Sequence, residues 1–234
     1  MRIPWLGEDD GPQSLPPAGS ALAEPNGLVA AGGALTPDWL IHAYRHGIFP
    51  WYTRGQPILW WSPDPRCVLW PGSFRRTRSL EKSIRNRGYE TRVNVDFAAV
   101  LDGCAAPRDG EPGTWITPEM RRSYLELHGL GWAHSVETWA EGRLVGGLYG
   151  VQVGGLFFGE SMFTRERDAS KVAFAALVDR CEAAGIELID CQLHTGHLAS
   201  LGAVTIPRAE FLSHVARLAA AAWPPGARPT LGTR

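Results

Sequence analysis

The sequence predicts an α+β fold, in which a small N-terminal α/β domain precedes a larger domain whose antiparallel or mixed sheet is flanked by helices. Two observations in the second half of the chain support this class. Three runs rich in Val, Leu, aromatic residues and Gly follow one another across short Gly-containing turns, the pattern of an antiparallel meander. A helical pattern and one more short apolar run come next. The runs are Ala133–Ala140, Arg143–Val151 and Leu156–Phe163, the helix extends from Asp168 to Gly185, and the last strand is Glu187–Cys191.

Composition narrows the class of protein. The chain of 234 residues is long enough to bury a core, and 23 basic side chains balance 24 acidic ones, so contact with nucleic acid requires a local patch. No apolar run of about 18 residues and no basic-then-apolar leader occurs, which predicts a soluble protein. The four cysteines form no CxxC pair, so we expect a cytoplasmic protein without a zinc site or a disulfide framework.

The first 70 residues are predicted to hold one helix and a rigid aromatic segment. Met1–Pro25 lacks periodicity and is expected to be an irregular, partly mobile lead-in. Thr36-Pro37-Asp38 starts a helix, with Thr as N-cap and Pro at the first helical position, and Gly47 ends it. The Pro- and Trp-rich segment that follows is typical of pocket walls, although plain packing between elements is an open alternative. A short strand is expected at Arg66–Trp70.

A basic run lies between Arg75 and Arg92, where seven basic side chains meet two acidic ones, a local net charge of +5. Leu80 and Ile84 form one apolar stripe, so the basic side chains cover the remaining surface of a short helix. A solvated helix face is the alternative. We favour contact with a phosphate backbone, because the charge has one sign and basic residues gain affinity by releasing counterions. The candidate contacts are Arg75, Arg76, Arg78, Lys82 and Arg85.

The remaining elements complete a two-domain organisation. They are a strand at Tyr89–Val95, a helix from Asp96 to about Leu101, a helix from Thr117-Pro118 to Gly129 or Gly131, and a last helix from Pro207 to about Ala222. The predicted divisions are a lead-in at 1–25, an N-terminal domain at 26–95, a catalytic domain at 96–222 and a frayed tail at 223–234.

The strand that ends near Cys191 carries the most informative polar groups. Because side chains alternate along a strand, Asp190 and Gln192 are expected on one face, with Ile189 and Cys191 on the other. An acid and an amide would then lie together at the strand end. The same two groups could instead satisfy backbone groups of the following turn, and this stretch alone does not decide between the two interpretations.

A second acid lies on the third strand of the meander. Phe158, Glu160 and Met162 are expected to share one face, with Ser161 opposite. A carboxylate between a Phe and a Met is costly to bury unless it has a partner or a function. Glu160 is therefore a candidate site residue.

The order of elements is also that of the acyltransferase fold typified by acetyl-coenzyme A N-acetyltransferases. Such enzymes hold the pyrophosphate of coenzyme A on a Gly-rich loop at a helix start, where backbone donors and the helix dipole converge. The corresponding segment here, Thr164–Lys171, contains no glycine. Coenzyme A is therefore disfavoured as acyl donor, and no cofactor or metal is predicted.

Nine motifs, taken in order, resemble the leucyl/phenylalanyl-tRNA–protein transferase family. They are GLVAAGGALTPDWLIHAYRHGIFPW, PILWWSPDPR, TWITPEM, VGGLYGV, FFGESMF, DASK, IDCQ, HLASLGA and IPR. The resemblance extends from about Gly27 to Leu212 and implies an N-terminal domain joined to an acyltransferase-like domain. It also implies transfer of Leu or Phe from aminoacyl-tRNA to the N-terminal Arg or Lys of a protein, which marks that protein for degradation. An apolar donor pocket is expected to accept Met as well.

The resemblance assigns residues to the site. The acid and amide of the family's IDCQ motif correspond to Asp190 and Gln192, and the glutamate of its GES motif corresponds to Glu160. The aromatic residues that line the family's aminoacyl-adenosine pocket correspond to Phe49, Trp51 and Trp115. An apolar pocket for the donor side chain is expected from Leu148, Phe158 and Met162, where Leu148 replaces the Met that relatives often carry.

We expect Gln192 to orient the attacking amine and relay its proton, with Asp190 holding the amide by a hydrogen bond. Glu160 is expected to bind the cation of the acceptor or to orient its amine. A monomer is expected.

Three alternative interpretations are less consistent with the sequence. A thiol mechanism through Cys191 with His194 or His197 is disfavoured, because strand alternation separates Cys191 from the acid and the amide. A metal at the two histidines lacks further ligands at suitable spacing. A module that binds RNA without catalysis would explain the basic run and the aromatic residues but would leave the three polar groups without a function.

Overall fold

The computed structural model describes residues 3–107 and 114–220, and these contain eleven strands and seven α-helices. The strands are β1 (Trp5–Leu6), β2 (Leu28–Gly32), β3 (Phe49–Pro50), β4 (Leu59–Trp61), β5 (Arg66–Leu69), β6 (Glu90–Val93), β7 (Ala133–Ala140), β8 (Arg143–Val153), β9 (Leu156–Thr164), β10 (Leu188–Gln192) and β11 (Val204–Ile206). The helices are α1 (Pro37–Arg45), α2 (Arg78–Asn86), α3 (Phe97–Ala105), α4 (Pro118–Gly129), α5 (Ala169–Ala184), α6 (Gly196–Ser200) and α7 (Arg208–Ala219).

The large sheet has the order β11-β5-β10-β9-β8-β7-β6. All of its pairs are antiparallel except β9 with β10, which run parallel. The predicted α+β class, the mixed sheet and the antiparallel meander are therefore confirmed. Strands β5 and β6 belong to this sheet, so the predicted domain boundary at residue 95 does not coincide with a division between the sheets.

The small sheet has the order β1-β2-β4-β3 and was not predicted, because its strands are too short and irregular to give a periodic pattern. It also corrects the description of the lead-in. Strand β1 pairs with β2, and Leu6, Leu15 and Ala18 are buried in the main core, so residues 3–25 are packed against the domain. The predicted tail at 223–234 lies outside the described residues.

Helices cover both faces of the large sheet. On one face, α5 packs over β7 and β8 and buries a cluster that includes Leu148, Phe157 and Ile189. The other face and the small sheet share one continuous core with side chains of α1, α3, α4 and α7. Thr117 caps α4 and Asp96 caps α3, as predicted, and α3 extends further than predicted. Thr36 lies at the predicted N-cap position of α1, but its side chain makes no capping hydrogen bond. No helix in the described part of the chain is long and apolar enough to cross a membrane.

Two neighbouring strands separate at the centre of the large sheet. Pairing of β9 with β10 ends at Phe158 and Asp190, and both strands become irregular immediately beyond this point. Because parallel strands that lose their shared hydrogen bonds leave a gap in the sheet, an opening forms between their carboxyl ends. This opening contains the pocket described below.

Gly150 offers a test of this arrangement. A Cβ at Gly150 would overlap the carbonyl oxygen of Phe158 and come within 2.5 Å of the Phe157 ring, whereas a Cβ at Gly159 would lie 3.5 Å from the nearest atom, the carbonyl oxygen of Asp190. We expect Gly150→Ala to destabilise the fold by about 1 to 3 kcal/mol or more, since the backbone has to shift. Thermal unfolding followed by circular dichroism should show a melting temperature lower by several degrees. Gly159→Ala is the matched control, and an equal loss in the two variants would contradict the prediction.

Candidate active site

A cavity of about 430 Å³ opens where β9 and β10 separate. Its walls are mostly apolar, and its polar side chains lie near the ends of the two strands. Of the predicted site residues, those that line the cavity are Phe49, Trp51, Trp115, Leu148, Met162, Glu160 and Gln192. The structure thus brings together residues from distant parts of the chain around one apolar pocket.

Two of the residues predicted for the catalytic site and the donor pocket do not line this cavity. Phe158 is fully buried and packs on Tyr44 with ring centroids 4.9 Å apart, so it lies in the core. Asp190 is also fully buried. The shared face predicted for Phe158 and Met162 is wrong, since the two side chains pack in different clusters.

A bulge in β9 explains this correction. Gly159 pairs with Gly150 and Ser161 pairs with Tyr149, so Glu160 is an extra residue without a partner on β8. A bulge shifts the alternation of side chains for every residue beyond it. Strand periodicity from the sequence therefore failed at Glu160, and the bulge turns this carboxylate into the pocket.

The carboxyl group of Glu160 and the hydroxyl groups of Tyr44 and Tyr124 form a closed ring of three short contacts. Tyr44 Oη donates to Oε1 at 2.7 Å, Tyr124 Oη donates to Oε2 at 2.8 Å, and the two phenol oxygens are 2.7 Å apart. Two phenol protons can occupy only two of these three contacts. A protonated carboxyl group provides the third proton, so the ring accepts Glu160 in its protonated form as well as in its ionised form.

The environment of Glu160 allows its carboxyl group to gain and lose a proton near neutral pH. Burial raises the pKa of Glu160 to about 7, and the hydrogen bonds from Tyr44 and Tyr124 oppose that rise. Burial also raises the pKa of both tyrosines well above the usual value, so the phenols stay protonated. Near neutral pH the carboxyl group of Glu160 is consequently present in both forms.

Asp190 forms a buried ion pair with Arg66 of β5. Arg66 Nε lies 2.9 Å from Oδ1 and Nη2 lies 2.7 Å from Oδ2, and both side chains are 0% exposed. The guanidinium lies between two phenylalanine rings, 4.8 Å from the centroid of Phe49 and 4.5 Å from that of Phe211. Planar guanidinium groups suit such a two-point contact and stack on aromatic faces, as they do here.

Gln192 connects the two carboxylates, but not in the way that was predicted. Its backbone N–H donates to Asp190 Oδ1 at 2.9 Å, and its side-chain Nε2 lies 3.3 Å from Glu160 Oε1. The prediction that Asp190 holds the side-chain amide is therefore wrong. Gln192 has a φ of 61°, and β10 is irregular between Asp190 and Gln192, so the simple alternation of the strand ends there.

Cys191 and the histidines of the following turn do not form a nucleophilic pair. Cys191 lines the pocket, but the neighbouring thiol of Cys67 and burial hold the pKa of Cys191 well above its usual range, so the thiol is protonated at neutral pH. His197 also lines the pocket, and burial lowers its pKa. Within residues 3–107 and 114–220, no group of three His, Cys, Asp or Glu side chains is placed to hold a metal ion.

The predicted basic run forms helix α2 on the outside of α5. Thr77 caps the helix, and Leu80 packs on Val172 and Ala175. Arg76 is exposed and forms ion pairs with Asp179 and Glu81. Five other exposed basic side chains of the run have no ion pair among the described residues: Arg75, Arg78, Lys82, Arg85 and Arg87. The three of these that lie within α2, Arg78, Lys82 and Arg85, are called the basic face here.

Sequence reasoning missed Arg66, Tyr44 and Tyr124. An arginine at the start of an otherwise apolar strand signals a buried cation that needs an acid, and that signal was present at Arg66. Tyr44 and Tyr124 lie on the buried faces of α1 and α4, where the sequence pattern alone indicates ordinary core residues. A buried tyrosine hydroxyl usually has a hydrogen-bond partner, which could have directed attention to a nearby carboxylate.

Comparison with known proteins places the chain in a family. The family described as leucyl/phenylalanyl-tRNA protein transferase matches residues 68–216, and its N-terminal domain matches residues 33–64. A leucyl/phenylalanyl-tRNA--protein transferase of Azoarcus sp. (strain BH72) is 57% identical over 223 residues, which is 95% of this chain and 94% of the relative. One from Pseudomonas entomophila (strain L48) is 59% identical over 215 residues, 92% of this chain and 94% of the relative.

The solved structures that resemble this chain are much less similar to it in sequence than these relatives are. L-PGS from Bacillus licheniformis is 12% identical, with a TM-score of 0.40 over 73% of this chain and 57% of the other. A GCN5-related N-acetyltransferase from Kribbella flavida is 14% identical, with a TM-score of 0.37 over 72% of this chain and 60% of the other. Similarity at this level does not by itself establish a shared fold. The match to the family over most of the sequence does establish kinship, and the chain belongs to the leucyl/phenylalanyl-tRNA protein transferase family.

Proposed function

We propose that this protein transfers Leu or Phe from aminoacyl-tRNA to the α-amine of an N-terminal Arg or Lys. One observation carries the proposal: a carboxyl group with a pKa near 7 lies beside an amide at the polar end of an apolar pocket. Membership of the family supports the same donor and the same class of acceptor.

The chemistry requires few groups from the protein. The acceptor nitrogen attacks the ester carbonyl carbon, the bond to the ribose oxygen breaks, and the tRNA hydroxyl leaves with a proton. An α-amine with a pKa near 8 is about one-tenth neutral at pH 7, so it needs a proton acceptor of similar strength and a fixed orientation. Ionised Glu160 is such an acceptor, and the ring with Tyr44 and Tyr124 holds the proton it takes up.

Gln192 orients the reacting groups in this proposal. Its Nε2 lies 3.3 Å from Glu160, so the amide oxygen is left to accept a hydrogen bond from the incoming amine. Asp190 acts only through the backbone of Gln192, because Asp190 is fully buried and does not line the pocket. Gln192 and Glu160 are therefore the proposed catalytic residues, and Asp190 is a positioning residue.

The pocket walls fit an apolar aminoacyl group. Leu148 and Met162 are register partners on β8 and β9, and both line the cavity. We assign the donor side chain to this apolar end and the terminal adenosine to Trp51 and Trp115. Trp51 is 42% exposed and packs on Trp61 at 5.8 Å, so one ring at the pocket remains available for a base to stack on.

The charge of the pocket favours a basic acceptor. Among the lining residues that the structure describes, Glu160 is the one carboxylate, and neither Lys nor Arg is present. When Glu160 is ionised, the site attracts cations and disfavours acidic residues. The negative charge of Glu160 attracts both the α-amine of the acceptor and the basic side chain of the acceptor's first residue.

The first test is transfer of radiolabelled Phe from Phe-tRNA to peptides that differ only in residue 1. We expect peptides starting with Arg or Lys to accept label at least tenfold faster than one starting with Ala, and a peptide starting with Glu to accept least. Equal rates for all four peptides would overturn the acceptor assignment. No transfer to any peptide would overturn the proposed function itself.

The second test concerns the proton acceptor. If transfer needs ionised Glu160 and a neutral amine, log(kcat/KM) for an Arg peptide should rise with pH with a slope near two below pH 7. Between pH 7 and about 8 the slope should be near one, because only the amine still titrates. Glu160→Gln should lower the rate and show a slope near one throughout. A single slope of one in the unmodified protein would contradict this role.

The third test concerns the basic face. Replacing Arg78, Lys82 and Arg85 by Gln should weaken tRNA binding and reduce the slope of log K against log[salt] by roughly 2 to 3, since three phosphate contacts are lost. The matched control removes three exposed arginines that already have acidic partners: Arg122, Arg143 and Arg217. If both triple variants have the same salt slope as the unmodified protein, α2 is a solvated face.

A further inference from the structure

Arg66 is a buried charged side chain to which the proposed chemistry gives no role. It lies on β5, its side chain is 0% exposed, and it does not line the cavity. A buried ion pair is weak support for stability, because the cost of removing two charges from water offsets most of their attraction. The position of Arg66 therefore calls for another explanation.

The contacts of Arg66 lead directly to Gln192. Asp190 Oδ1 accepts from Arg66 Nε and from the backbone N–H of Gln192, both at 2.9 Å. The guanidinium fixes the carboxylate at two points, and the carboxylate fixes the amide nitrogen of the next residue but one. Gln192 needs such support, because a non-glycine residue with a φ of 61° is in a sparsely populated conformation.

A second set of contacts ties Arg66 to the pocket wall. The guanidinium is stacked between Phe49 and Phe211, and Phe49 lines the cavity. Arg66 thus fixes two walls of one site relative to each other: the aromatic wall that begins at β3 and the polar end of β10.

We propose that Arg66 is a positioning residue for transfer, which acts through Asp190 to hold the backbone and hence the side-chain amide of Gln192 towards Glu160. The inference rests on the proposed function for its kinetic consequence. Its structural consequence, a stable hydrogen bond from the backbone N–H of Gln192 to Asp190, can be measured without an activity assay.

Arg66→Lys is the most informative variant, because it keeps the charge but loses the planar two-point contact and the stacking. We expect kcat for transfer to an Arg peptide to fall at least tenfold, with KM for Phe-tRNA changed less than threefold. The amide of Gln192 should exchange its hydrogen at least tenfold faster, as followed by nuclear magnetic resonance.

Arg165→Lys is the matched control. Arg165 also stacks on a phenylalanine, Phe163, at 5.1 Å, but it donates to the carbonyl oxygen of Leu144 and has no contact with Asp190. This variant should keep kcat within twofold and should leave exchange at Gln192 unchanged.

A double variant separates folding from positioning. Arg66→Met combined with Asp190→Leu replaces the ion pair by apolar side chains of similar volume, which buried sites often tolerate without loss of stability. We expect a folded protein, as judged by its melting temperature, with kcat as low as in Arg66→Lys. Near-normal kcat in the double variant, or normal kcat and normal exchange in Arg66→Lys, would overturn the inference. Absence of transfer by the unmodified protein would count against the proposed function, while exchange at Gln192 would still decide the role of Arg66.

Discussion

Two carboxylates of the site lie largely out of water, and the two ways in which they are held shape the site. Asp190 meets a cation, Arg66, at two points. Glu160 meets neutral hydroxyl groups of Tyr44 and Tyr124 instead. The guanidinium fixes the position of the Asp190 carboxylate, whereas burial raises the pKa of Glu160 to about 7 and its neutral donors do not cancel that rise. The environment thus separates an anchoring acid from an exchanging acid.

The separation of two parallel strands gives Asp190 and Glu160 their different environments. While β9 and β10 are paired, their side chains lie in two closed clusters on either side of the sheet. Beyond Asp190 and Phe158 the strands diverge, and the irregular residues Glu160 and Gln192 turn towards each other across the gap. The polar end of the pocket is therefore a direct product of the point where sheet hydrogen bonding stops.

Much of the fold followed from local patterns, whereas the resemblance to a family was needed to assign Glu160 and Gln192 to one site. The meander, the N-caps at Thr117 and Asp96 and the positions of Glu160 and Gln192 near one pocket agree with the predictions. The orientation of these side chains did not follow, because a bulge and a positive φ interrupt strand alternation, and neither leaves a periodic signal.

Contacts between distant segments could not be predicted from the sequence, for a different reason. Arg66 and Asp190 are 124 residues apart, and Tyr44 and Glu160 are 116 apart. Arg66 and Glu160 each stand out in an apolar strand, but their own segments do not show which residue is the partner. The partner of Arg66 becomes visible only in the strand order of the large sheet, where β5 lies beside β10 and brings Arg66 to Asp190.

Gln192 explains why the two acids have to differ. Its backbone is held by the anchoring acid, and its side chain touches the exchanging one. In the proposed transfer, Glu160 takes the proton that the attacking amine releases, while the Asp190 carboxylate stays bound to Arg66 and to the backbone N–H of Gln192. Gln192 can then orient the amine throughout the reaction, because the group that supports its backbone is separate from the group that accepts the proton.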